Sequence, residues 1–196
     1  MTVTTRKFTF EEYLIYEDGT DTRYELVNGE LVPMSVGTGI HALIIDFLAD
    51  QIKAVLVDLT SPHKALSGSV GVQSPRGGRF KTSRIPDITV LPVEQAKQLL
   101  NREAVIRIDE PPPTLVVEVV SPSTKTEDYK AKWTEYSVLD IPEYWIIDPL
   151  SHVVTVCVLE DGMYTSNEFQ EAQQIQSPLL PRFKLTASQV LAAGLS

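Results

Sequence analysis

A chain of 196 residues, 43% of them hydrophobic and 22% charged, is sized and composed for one soluble globular domain, residues 1–196, and is long enough to bury a core of its own. Its net charge of −9 repels polyanions and excludes a nonspecific nucleic-acid coat protein, and no apolar run reaches the roughly 18–20 residues that cross a membrane. The single Cys157 excludes internal disulfides and argues against a thiolate metal site; with no charged-then-apolar leader, a cytoplasmic location is expected.

Residues 1–7 read as a frayed terminus. Thr9-Phe10-Glu11-Glu12 has the form of a capping box and predicts a short helix to about Glu17. Tyr24 to Val32 reads as a hairpin turning at Asn28-Gly29, because a type I′ turn needs positive φ at both central positions. Pro33 to Gly39 is a loop. His41 then opens a helix to about Leu59, with Ile44, Leu48, Ile52 and Val55 among its apolar positions at helical spacing.

Ala65 to Gln73 predicts a strand, Ser74 to Ser83 a loop, and Arg84 to Leu91 a second strand, in which Pro86 places Asp87 at the start. From Leu59 through Pro86 there is no Asp or Glu, while Lys64, Arg76, Arg79, Lys81 and Arg84 are present. That basic strip runs into Asp87 and reads either as a solvated loop or as a phosphate-facing surface. Val93 to Leu100 predicts a short helix, and Glu103 to Ile108 carries no decisive pattern.

Pro111-Pro112-Pro113 is a stiff lead-in to Leu115–Val120, which is apolar on both faces except for Glu118. A strand written that way belongs in the middle of a sheet. A carboxylate left ionised and unpaired there costs several kcal/mol or takes up a proton. A metal, a lysine or protonation must compensate it. Ser121 to Thr124 breaks the strand, and a helix is expected from an N-cap at Thr126 to about Val138. Asp128, Lys132 and Tyr136 share one face of it at i, i+4 and i+8. Folded back over the strand, this helix brings Lys132 to Glu118; an ion pair with Asp128 would instead draw the lysine away. Pro142 to Pro149 and His152 to Leu159 read as paired strands, Gly162 to Phe169 as an outer strand, and Thr186 to Ala193 as a terminal helix stopped by Gly194.

Three acids thus stand in or beside apolar strands: Glu25, Asp87 and Glu118. Carboxylate oxygens suit Mg²⁺ or Mn²⁺, which can activate water and stabilise charge on a phosphoryl group. A nearby lysine orients that water, or deprotonates it if burial lowers its pKa. His41 reads either as a group near a substrate phosphate or as a structural histidine. His63 and His152 have no partners at metal-ligand spacing. Cys157, Trp133, Tyr144 and Trp145 read as packing, and Asp148 as a turn acid.

Arg84-Ile85-Pro86-Asp87, Val117-Glu118-Val119, Ser121-Pro122-Ser123, Asp128 with Lys132 and Tyr136, and Pro142 to Pro149, preceded by Tyr24-Glu25-Leu26, Gly29-Glu30-Leu31 and His41, together resemble the Uma-two family over roughly residues 8–190. The resemblance implies a restriction-endonuclease-like protein of the PD-(D/E)XK superfamily. Its fold would be α/β (α+β), with a mixed, strongly curved central sheet flanked by helices. It implies Asp87, Glu118 and the Val119 carbonyl as ligands of Mg²⁺ or Mn²⁺, Lys132 as the group that positions water, and Glu25 as its support or that of a second ion. The superfamily's lysine two residues after the acid is Val120 here, and Lys132 on the following helix takes its place. The implied activity is metal-dependent hydrolysis of phosphodiester bonds in DNA, with His41, Arg79, Arg84 and Tyr136 as substrate contacts. Two rivals remain: a nuclease-fold binding or regulatory module without turnover, favoured by the acidic charge, and a hydrolase of a smaller phosphate ester. A homodimer is expected because duplex cutting needs two sites and Val153–Leu159 offers an apolar edge.

Overall fold

The computed structural model describes residues 6–57, 62–75 and 81–195. Two sheets share the chain. The larger has the order β11-β10-β9-β8-β6-β3, built from Met163–Phe169 (β11), Val153–Glu160 (β10), Glu143–Asp148 (β9), Leu115–Val119 (β8), Ile88–Pro92 (β6) and His63–Ser67 (β3). The smaller has the order β2-β1-β5-β4-β7, from Glu30–Pro33, Tyr24–Val27, Thr82–Arg84, Gly71–Ser74 and Val105–Ile106. Both are mixed: β8 runs parallel to β9 and β4 parallel to β7, and every other pair is antiparallel. The helices are α1 (Phe10–Leu14), α2 (Gly39–Leu56), α3 (Val93–Gln98), α4 (Trp133–Val138) and α5 (Ala187–Leu191). None among the described residues is long and apolar enough to cross a membrane.

Local signals act as their chemistry dictates. Thr9 and Glu12 cap α1 reciprocally, and Asn28 and Gly29 take φ of 50° and 81° in the β1–β2 turn. Thr38 caps α2, and Gly194 ends the terminal helical segment at φ 69°.

Two expected strands are each two. Ala65 to Gln73 divides into β3 and β4, which lie in different sheets, at Gly68 with φ 50°. Arg84 to Leu91 divides into β5 and β6 because Pro86 has no N–H for the ladder. Apolar alternation runs through both breaks, which is why the pattern reads as continuous. Asp87 therefore sits where the chain passes from one sheet to the other. The undecided stretch near Glu103 supplies β7.

Every residue of β8 is buried. Leu115, Val117 and Val119 pack into one core with Ile44, Leu48 and Ile52 of α2, and Val116 and Val120 into a second with Tyr136, Tyr144 and Ile146. Full burial of each large side chain stabilises by about 1.5–3 kcal/mol, so the strand is fixed on both faces. Glu118 shares a strand face with Val116 and Val120 and so faces the second core. The segment expected as one helix from Thr126 is two windings: Glu127–Lys132 forms a π turn, without a side-chain cap at Thr126, and α4 continues it. β10 is paired on both sides, by β9 and β11, so the edge expected to serve a homodimer is internal.

Candidate active site

Ile88 of β6 lies opposite Val117 of β8. One step back and one step on, Asp87 and Glu118 reach the same side of the sheet. Asp87 Oδ2 accepts the Val119 N–H at 2.7 Å, which ties it to the central strand. Glu118 Oε1 accepts the Tyr136 hydroxyl at 2.7 Å, and Oε2 lies 2.9 Å from the Lys132 ammonium. Lys132 is also 2.9 Å from Asp128 Oδ1, so the two expected pairings of this lysine coexist. His41 Nε2 stands 3.5 Å from Asp87 Oδ2, at the first turn of α2.

These groups titrate away from their ordinary values. Burial pushes the Glu118 carboxyl up to about 8, with Lys132 opposing and the neighbouring acids reinforcing. Asp128 is raised by burial as well, with Lys132 again opposing. For Lys132, burial disfavours the charge, but Glu118 and Asp128 outweigh it and hold the amine protonated. In this arrangement the lysine is a cation and a donor. His41 is raised chiefly by its hydrogen bond to Asp87, against burial, and further by the backbone of Val119.

A second charge cluster adjoins the first. Arg84 binds Glu135 through two nitrogens at 2.8 and 3.0 Å, Glu127 at 3.0 Å and Glu25 at 3.2 Å. Glu25 also accepts the Ile85 N–H at 2.9 Å. Arg84 was expected to face a substrate phosphate; its guanidinium is instead buried and committed to three carboxylates, because the π turn and α4 bring Glu127 and Glu135 over it. Tyr136 was expected as a substrate contact; it is fully buried, and its hydroxyl fixes Glu118. Arg79 lies outside the described residues. Asp128, which the sequence offers either as a lining residue of the site or as a rival partner for Lys132, shares the lysine with Glu118 and is a member of the cluster. Arg23, which precedes β1, is exposed and donates to the carbonyl of Gly68, whose N–H in turn meets the Asp87 carbonyl at 2.9 Å.

Six carboxyl groups, those of Glu25, Asp87, Glu118, Glu127, Asp128 and Glu135, thus surround two permanent cations, Arg84 and Lys132. The deficit of positive charge is the first observation that fits a divalent ion. The second is the place of His41, whose Nε2 stands 3.5 Å from Asp87 Oδ2 beside the Val119 backbone and whose pKa that contact raises. The third is Asp128, buried with neither oxygen in an aligned hydrogen bond. Among the described residues no three acid, His or Cys side chains close on one point. A set of two carboxylates and one backbone carbonyl, completed by waters, is what Mg²⁺ or Mn²⁺ accepts.

The mixed sheets flanked by helices, with acids at the head of β6 and within β8 and a buried lysine on the connection to parallel β9, have a restriction-endonuclease-like fold. The chain belongs to the Uma2 family: the family model, described as "Putative restriction endonuclease", matches residues 10–188. A solved structure from Anabaena variabilis ATCC 29413, titled "a putative nuclease belonging to DUF820", is similar in fold, with TM-score 0.72 and 20% identity over 96% of this chain and 99% of that one. No curated protein matches this chain.

Proposed function

We propose that this protein is a divalent-metal-dependent endonuclease that hydrolyses phosphodiester bonds in DNA. The observation that carries the reading is the gathering of Asp87, Glu118, the Val119 backbone and the Lys132 ammonium on one side of the central strand. Asp87, Glu118 and the Val119 carbonyl would hold Mg²⁺ or Mn²⁺, which when bound supplies a Lewis acid and a water of lowered pKa. The chain's own groups do the rest. Tyr136 locks the rotamer of Glu118. Lys132 donates to the attacking water or to a phosphate oxygen, and stabilises the charge that develops there. Glu25, held by Ile85 and Arg84, would support the attacking water or a second ion. Arg23 meets the neighbouring phosphate from the rim.

The test is nicking of supercoiled plasmid in Mg²⁺ and in Mn²⁺. Wild type is expected to nick, and Asp87→Asn and Lys132→Met to lose about 10²-fold or more in rate, the scale of losing a group aimed at transition-state charge. Mn²⁺ should raise the melting temperature of wild type by mass action and not that of Asp87→Asn. The surplus of acids and the burial of Arg84 favour a second reading, a nuclease-fold module that binds without turnover. Metal binding and DNA binding with no cleavage of DNA, RNA or a small phosphodiester would establish it and end the first.

A further inference from the structure

Resting on the metal site just proposed, we infer that Asp128 is a positioning residue: it receives the Lys132 ammonium when a divalent ion takes Glu118, and so sets the ion's affinity without being its ligand. Lys132 lies at 2.9 Å from both carboxylates, with the side chains of Lys132 and Asp128 only 8% and 1% exposed. An ammonium and a divalent ion cannot share Glu118 Oε2, because like charges a few Å apart in a buried site repel strongly. The ammonium must move, and in a buried site it needs a second carboxylate to move to.

The partners of the other acids show why Asp128 has that role. Asp87 is held by the Val119 N–H, Glu118 by the Tyr136 hydroxyl, and Glu25 by the Ile85 N–H and Arg84. Asp128 is more deeply buried than Glu25 or Asp87; beside the Lys132 ion pair it has the Thr124 hydroxyl nearby, and among the described residues neither of its oxygens makes an aligned hydrogen bond. A buried carboxylate kept so poorly satisfied is costly for stability alone. Its open capacity is what a transferred ammonium needs. The π turn that carries both residues is a winding that recurs at functional sites, and transfer needs only side-chain rotation, since both partners are already in reach.

The alternative is a plain i,i+4 pair that staples the turn. The two separate in a double-mutant cycle read by Mn²⁺ titration calorimetry on the full chain. Asp128→Asn should weaken Mn²⁺ binding about tenfold or more, because Lys132 then stays on Glu118. Lys132→Met should bind Mn²⁺ more tightly than wild type. In the double variant the loss should be suppressed, leaving affinity within about threefold of Lys132→Met, the size of coupling expected for residues in one network. A full Asp128→Asn loss in the Lys132→Met background would overturn the inference and make Asp128 a direct ligand or a long-range charge. An unchanged affinity in Asp128→Asn would leave the staple and overturn it too. A structure of the wild type soaked in Mn²⁺ needs no variant: Lys132 should have left Glu118 and remained on Asp128, and a lysine still on Glu118 or turned to solvent refutes the transfer. Wild type that takes no Mn²⁺ removes the metal site itself, whereas the cycle can fail with that site intact.

Discussion

The two acidic clusters share a wall of the protein and differ in one respect. Around Arg84, the carboxylates of Glu25, Glu127 and Glu135 converge on one planar cation, with two parallel hydrogen bonds to Glu135. Guanidinium geometry suits this, and every donor direction used is met by an oxygen. Around Lys132, a point charge divides between Glu118 and Asp128, Asp128 lacks aligned hydrogen bonds, and His41 leans on Asp87. The first cluster is closed by its own members. In the second, buried Asp128 has its ion pair but no aligned hydrogen bond. The comparison teaches that buried charge alone does not mark a site; incomplete hydrogen-bond satisfaction does.

The largest expected effect tests the closed side. Arg84→Met removes the guanidinium held by two hydrogen bonds to the almost fully buried Glu135, and removing one member of a buried pair costs about 3–5 kcal/mol. Chemical denaturation should show that loss with or without Mn²⁺. A loss below about 1 kcal/mol, as at a surface pair, would mean that this cluster is as open as its neighbour.

The next effect tests the open side through pH. Glu118 holds its proton to about 8 in the folded chain and to its ordinary value, near 4.5, when unfolded. The folded state therefore binds more protons across that window, and stability conferred at low pH is lost as pH rises through it. His41, also raised, acts in the same direction above its ordinary 6.5. Arg84, raised from an already high value, keeps its charge throughout. Metal-free protein should thus melt progressively lower between about pH 5 and pH 8. Glu118→Gln should flatten most of that slope and melt above wild type at the alkaline end. Mn²⁺ should stabilise wild type more as pH rises, since the ion replaces a proton. A wild-type slope unchanged by Glu118→Gln would place the titration elsewhere.

Much of the open cluster is legible in the chain. An acid inside a strand that is otherwise apolar on both faces demands a partner, and Lys132 stands where a helix returning over that strand would bring one. The hairpin at Asn28-Gly29 and the capping box at Thr9 follow from local backbone chemistry. The rest fails for physical reasons. Hydrophobic alternation cannot show that Gly68 and Pro86 hand the chain from one sheet to the other, because apolar residues continue on both sides of each break. It cannot show the π turn either, since α and π windings over six residues present nearly the same pattern. Arg84 reads as a surface base because the acids that bury it come from Glu127 and Glu135, far along the chain. Charge seen in one dimension reports neighbours in sequence, and closure of that cluster is wholly long-range.

The smallest effect concerns an exposed cation beside the open cluster. Arg84 and Lys132 are spent on carboxylates, whereas Arg23 is exposed and tethered to the carbonyl of Gly68, whose N–H meets the Asp87 carbonyl. That tether uses one of five guanidinium donors and leaves the others free to meet a phosphate. Arg23→Gln should weaken binding of a short duplex, measured in Ca²⁺ to suppress cleavage, by a few-fold and lower the slope of log affinity against log salt by about 1, the signature of one lost phosphate contact. Its Mn²⁺-induced rise in melting temperature should match that of wild type, because no metal ligand is touched. An unchanged salt slope would remove Arg23 from the DNA path. A lost metal response would instead show that the rim and the acidic cluster are mechanically one unit, and the contrast between a closed and an open cluster would need a third member.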